Sequence, residues 1–153
     1  MLARLIEDKK AKSKSFFLKK ETDYFDKKLL NFLKKYYKKF KLDVRICLHK
    51  NSLSNHHDMI ILQQKKGHYK PHKHLKKGET YHIIEGSMFC ILFNEKGRIT
   101  KKCLIKKNEV FRTPINVFHT MKPKSEYVIY HESKRGPFLK NKDSIFPRWI
   151  KIN

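Results

Sequence analysis

Between residues 22 and 40 the apolar positions Phe25, Leu29, Phe32, Leu33, Tyr36 and Phe40 recur at intervals of three and four. That spacing lines one face of a helix and predicts an amphipathic helix over 22–40. Thr22 or Asp23 is placed to cap it, Asp26 falls in the first turn, and Lys38, Lys39 and Lys41 close the other end, all as the helix dipole favours. Such a face is expected to pack on a sheet or a subunit interface. Beyond Lys41 the pattern shortens to apolar runs of strand length separated by polar turns. It predicts strands at 44–49, 58–63, 80–85, 88–94, 99–105, 110–112, 117–122 and 127–131. Glu85-Gly86-Ser87 and Glu95-Lys96-Gly97 supply hairpin turns, with glycine taking the positive φ.

About eight short strands at this interval indicate a sandwich, a barrel or a jelly roll. The Lys-rich residues 1–20, marked only by Leu2, Leu5, Ile6, Phe16, Phe17 and Leu18, fit a frayed helix, a short strand or an arm. Residues 135–153, with Pro137, Pro147 and Trp149, are expected to lie as an ordered tail over the body. The chain is therefore divided into an arm and helix (1–43), a β body (44–134) and a tail (135–153). No internal repeat or long linker interrupts it.

At 153 residues the chain is long enough for one core. No run reaches the length of a membrane span and no signal-peptide core is present, so a cytoplasmic protein is expected. Cys47, Cys90 and Cys103 show no metal-binding spacing and fit reduced core thiols. The net charge of +23 comes from 31 Lys and only 6 Arg, spread over the whole length. Arginine is the residue favoured for bidentate contacts to phosphates and bases, so this composition does not argue for a specific nucleic-acid surface.

The chemistry concentrates in GHYKPHKHLKKGETYHIIEG, from Gly67 to Gly86. Residues two apart in an extended strand face the same way, so His72 and His74 can reach one ion. Glu79 follows a turn at Leu75-Lys76-Lys77-Gly78, and His119 must arrive from a distant strand. Three imidazoles and a carboxylate suit one divalent ion such as Zn, Fe, Mn or Ni. His56, His57 and His68 are expected to be surface residues.

These positions resemble the motifs of the cupins, small double-sheet β-barrels. Gly67, His72, His74, Glu79 and Gly86 match the first motif, with Gly67 one residue closer to the first histidine than usual. Asn108, Pro114, Asn116 and His119 match the second, where asparagine replaces two glycines and Pro123 stands in place of the closing asparagine. Asparagine tolerates the left-handed region better than most residues, so the change is mild. His49, residues 59–63, FNEKGRI at 93–99 and ESKRGPF…FPRW are further similar to the WbuC-type cupin-fold metalloproteins. That resemblance implies an all-β cupin (double-stranded β-helix, or jelly-roll) barrel behind the amphipathic helix. It also implies a metal, a setting in bacterial surface-polysaccharide biosynthesis, and a homodimer.

Within that frame Tyr81 shares strand parity with Glu79 and points inward beside the metal. His49 is a candidate general base, since an unperturbed imidazole titrates near neutrality. Arg45 is placed to clamp a phosphate or carboxylate, with Gln63 beside it and Trp149 as a lid or stacking platform. Glu132 reads as a structural partner of the tail. A Lewis-acid metal suits isomerisation or epimerisation of a sugar or sugar-nucleotide; Fe(II) suits dioxygen chemistry; a metal that only anchors a ligand makes a binding module. An acid or base facing the metal would separate the enzyme from the binder.

Overall fold

A computed structural model describes residues 3–11, 13–20, 22–67, 69–139 and 142–150. Leu2 and His68, together with parts of the arm and tail, lie outside the described residues. Among the described residues, ten strands and one helix follow one another as β1 (Leu5–Glu7), β2 (Lys14–Leu18), α1 (Lys27–Phe40), β3 (Val44–Cys47), β4 (His56–Gln64), β5 (Glu79–Glu85), β6 (Ser87–Phe93), β7 (Ile99–Lys106), β8 (Val110–Arg112), β9 (Phe118–Pro123) and β10 (Tyr127–Arg135). They form a seven-stranded sheet in the order β1-β2-β3-β4-β10-β5-β8 and a three-stranded sheet in the order β7-β6-β9.

The topology is cupin-like, but the described strands form two sheets and not one closed hydrogen-bonded ring. The large sheet also mixes parallel with antiparallel pairing. β2 runs parallel to β3, with Lys14 opposite Val44 and Phe17 opposite Cys47. Parallel neighbours need a crossover connection, and α1 supplies it. The ambiguous lead-in thus contains two strands that widen the sheet, β1 pairing antiparallel to β2.

The helix starts later than its apolar stripe suggests. Asp26 is the N-cap, its carboxylate accepting from Leu29 N at 2.9 Å, while Arg4 ties up Asp23 and also reaches Asp26. Lys41 ends the helix in the left-handed conformation, its N–H donating to the Tyr37 carbonyl. Leu29, Leu33 and Tyr37 are buried against Phe16, Val44, Ile46, Ile60, Leu62 and Ile129, whereas Phe40 is exposed. Burying each leucine is worth roughly 1.5–3 kcal/mol, so this face fixes α1 on the outside of the large sheet.

The other face of the same sheet meets the small one. Tyr81, Ile83, Val128 and Tyr130 pack there on Met88, Cys90, Ile105 and Met121. The period of two therefore splits each central strand between an outer core under the helix and an inner core between the sheets. Four expected positions take positive φ: Gly86 and Gly97 at the turns, and Asn108 (68°) and Asn116 (59°) at the two glycine-like positions.

Candidate metal centre

His72 and His119 are brought together by backbone pairing before any side-chain chemistry. His72 N–H donates to His119 O at 3.0 Å and His119 N–H to His72 O at 2.9 Å, which sets the two rings 4.7 Å apart. Asn116 N–H holds the His74 carbonyl at 2.8 Å. Glu79 opens β5, its N–H bonded to Thr113 Oγ1 and its carbonyl to Thr113 N–H. Thr113 is fully buried, so the second motif pins the first.

Each ring is then oriented by a carbonyl. Nδ1 of His72 meets Lys70 O at 3.1 Å, Nδ1 of His119 meets Val117 O at 2.9 Å, and Nδ1 of His74 meets Asp143 O. A carbonyl only accepts, so all three Nδ1 atoms carry the proton and all three Nε2 atoms present lone pairs inward. One ligand atom from each of His72, His74, Glu79 and His119 lies within 4.8 Å of the others. His74, Glu79 and His119 are buried.

The arrangement calls for a cation. Nε2 of His74 lies 3.0 Å from Oε1 of Glu79, and Nε2 of His119 lies 3.0 Å from Oε2. With Nδ1 protonated, those contacts oppose lone pair to lone pair unless a second proton or a metal ion intervenes. Moreover, buried His74 Nε2 has no well-aligned hydrogen bond. A buried polar atom in that state is costly, and coordination relieves it. The cluster fits one divalent ion held by three nitrogens and one oxygen.

Electrostatics favour the ligand-ready forms of His72 and Glu79. Burial, followed by the neighbouring His119, lowers the His72 pKa to about 4, so this ring is neutral at pH 7. Burial alone would raise the Glu79 pKa, but Lys134, His119 and His74 outweigh it and hold the carboxyl well below its usual range. For His74, burial opposes the charged form and Glu79 overcomes it, raising the pKa.

A cavity of about 480 Å³ opens beside His72 and Glu79. Of the expected site residues, Tyr81, Arg45 and Gln63 line it. Tyr81 donates its hydroxyl proton to Glu79 Oε2. Gln63 is held by Met121 O at 3.0 Å and by the Tyr130 hydroxyl at 2.8 Å, and Arg45 Nε donates to Ser15 Oγ at 3.1 Å. His49 and Trp149 are not among the lining residues. The His49 ring stacks on His57 at 4.1 Å and bonds the Asp58 backbone, while Trp149 packs on Phe93 and Phe118. His57, expected at the surface, is buried, with Gly136 packed so closely on its ring that a Cβ there would stand 2.9 Å from it.

Three residues join the site that the sequence did not single out in this role. Lys134 Nζ donates to Glu79 Oε1 at 2.7 Å and to Glu132 Oε1 at 2.9 Å. Both Glu132 and Lys134 line the cavity, so Glu132 belongs to the site and not to the tail. Strand parity with Tyr130 was the available signal. Asp143, whose carbonyl orients His74 and whose carboxylate pairs with Lys77, carried none, because nothing in its neighbourhood is periodic.

The fold is similar to that of several solved structures. The capsular polysaccharide assembling protein CapF from Staphylococcus aureus superposes with a TM-score of 0.56 at 16% identity, over 67% of this chain and 31% of that one. An oxalate decarboxylase from Lactobacillus farciminis, solved as a formate complex, gives 0.50 at 20% identity, over 61% and 27%. An oxalate decarboxylase variant from Bacillus subtilis gives 0.51 at 16%, over 60% and 24%. This chain thus spans a quarter to a third of the length of those proteins. No curated protein matches the sequence. Residues 26–105, more than half of the chain, match the family described as Domain of unknown function (DUF6016), and the chain belongs to that family.

Proposed function

We propose that this chain is a metal-dependent enzyme of cupin fold that isomerises or epimerises a sugar or sugar-nucleotide in surface-polysaccharide biosynthesis. The observation that carries the reading is the Lys134–Glu132 pair beside Glu79 in the metal cavity. A module that only anchors a ligand has no use for a buried acid and base next to its metal. His72, His74, Glu79 and His119 would hold the ion, which as a Lewis acid polarises a carbonyl oxygen. The Lys134–Glu132 pair holds and moves a proton at the substrate carbon, and Tyr81 carries its hydroxyl proton toward the same point. Arg45 orients an anionic substituent from the cavity wall, with Gln63 behind it. His49 and Trp149 then act through packing. The WbuC-type motifs support the biosynthetic setting, and so does the likeness in fold to CapF, a capsular polysaccharide assembling protein. A cytoplasmic homodimer completes the proposal. No helix among the described residues is long and apolar enough to cross a membrane.

The test has two readouts. Elemental mass spectrometry on untagged protein should give one metal per chain, lost in Glu79→Ala and His119→Ala. Zinc, manganese or nickel keeps isomerisation in front, whereas iron moves the chemistry to dioxygen. The metal-loaded protein incubated with keto-sugar nucleotides in deuterated water should then wash deuterium into the carbon next to the carbonyl. Full metal occupancy without any exchange across such a panel replaces the enzyme with a binding protein.

A further inference from the structure

A second hollow, of about 340 Å³, lies around the end of β5 and β10 from the metal cavity. Its position follows from strand alternation. Glu79, Tyr81 and Glu132 line the metal cavity, so Thr80 and Ser133 turn to the opposite face of the sheet. Thr80 and Ser133 are direct partners across β5 and β10, and Arg112 is the partner of Thr80 on β8. The three side chains thus form a row, with adjacent strands roughly 4.8 Å apart. Gly78 lies at one end, where a Cβ would stand 2.5 Å from the Thr113 carbonyl oxygen, so only glycine leaves the hollow its shape.

None of the residues lining this hollow is acidic. Its cations differ in how they are engaged. Lys134 is bound to Glu79 and Glu132, and Lys77 to Asp143. Lys76, Arg112 and Arg135 form no ion pair among the described residues. Ser133 Oγ lies 3.0 Å from His56 Nε2, and the Asp58 carboxylate is taken up by His56 at 3.1 Å and His131 at 2.9 Å. The chain has only 6 Arg, yet two of them converge here beside two hydroxyl donors. Guanidinium forks with hydroxyls on a concave wall match the oxygens of a tetrahedral dianion.

We propose that this hollow binds the phosphate group of a small molecule, a monoester or a diphosphate. The volume exceeds that of phosphate alone and leaves room for an attached organic part. Of its lining residues only Lys134 is shared with the metal cavity.

Calorimetric titration of the metal-loaded protein with inorganic phosphate and with pyrophosphate, at fixed ionic strength in chloride, tests this. Saturable binding is expected, weakened at least tenfold in Arg112→Gln/Arg135→Gln and about threefold in Thr80→Val. A control with the same charge change on exposed β7, Lys101→Gln/Lys102→Gln, should change affinity less than twofold. The stronger of the two probes distinguishes a monoester from a diphosphate site. Metal content serves as the folding check on each variant. Equal weakening in the control reduces the effect to the diffuse field of a basic protein and overturns the site. Binding that disappears with the metal but survives Arg112→Gln/Arg135→Gln places the phosphate on the ion and overturns it as well, as does the lack of any saturable heat.

Discussion

Lys134 places its ammonium 2.7 Å from Oε1 of Glu79, from a side chain only 14% exposed. Glu132 stands on its other side at 2.9 Å. Burial alone would lower the Lys134 pKa, but Glu132 and Glu79 outweigh it and hold the group charged. A metal ion and Lys134 therefore share one carboxylate as counter-charge.

Lys134→Met should consequently destabilise the metal-free protein by about 3 kcal/mol, the cost of leaving a buried carboxylate without its partner. With metal bound the ion takes over part of that charge, and the loss should fall well below this. Urea denaturation with and without a chelator measures both. Equal losses in the two states would argue that the metal does not engage Glu79.

Acid should expose a second buried histidine. Burial, then the stacked His49, then Lys134 and Lys77, lower the His57 pKa to about 4. In the unfolded chain the ring titrates near 6.5. A depressed folded-state value means that the unfolded chain binds more protons between these limits. The stability contribution is complete above about pH 6.5 and declines as pH falls toward 4. His57→Gln should remove up to one proton from the pH slope of stability in that window. An unchanged slope in denaturation series from pH 7 to 4 would show that His57 is solvated.

Gly97 has φ of 81°, and a Cβ there would sit 2.8 Å from Cδ2 of Trp149. Gly97→Ala should cost roughly 1–2 kcal/mol from the left-handed backbone alone. It should also push the indole off Phe93 and Phe118 and shift the emission of the single tryptophan. Metal content should not change, because Trp149 does not line the cavity. Unaltered emission would contradict the packing of the tail on this turn.

The eight central strands and the four ligand positions were legible because both obey a local rule. Alternation at period two marks each strand, and His72 and His74 two apart mark one face of an extended segment. Even the asparagines standing for glycine could be read, since Asn108 and Asn116 need only a positive φ. What escaped depends on distant partners. Phe16 and Phe17 become strand residues only because β3 offers an edge across the α1 crossover. Asp26 caps the helix because Arg4, twenty-two residues earlier, holds Asp23 as well. Lys134 and Asp143 looked like ordinary charges in a chain full of them, and their value comes from Glu79 and His74 lying beside them.

The hold of Asp143 on His74 also carries a consequence in time. On the ribosome His72, His74, Glu79 and His119 all emerge before Asp143, so the nascent chain exposes every ligand while one ring is still free to turn. An ion captured at that stage is held by a pliable set, and the last ring is set only when residues 142–150 dock and Ile145 pairs with Lys73. The last segment to be made is therefore the one that completes the orientation of His74.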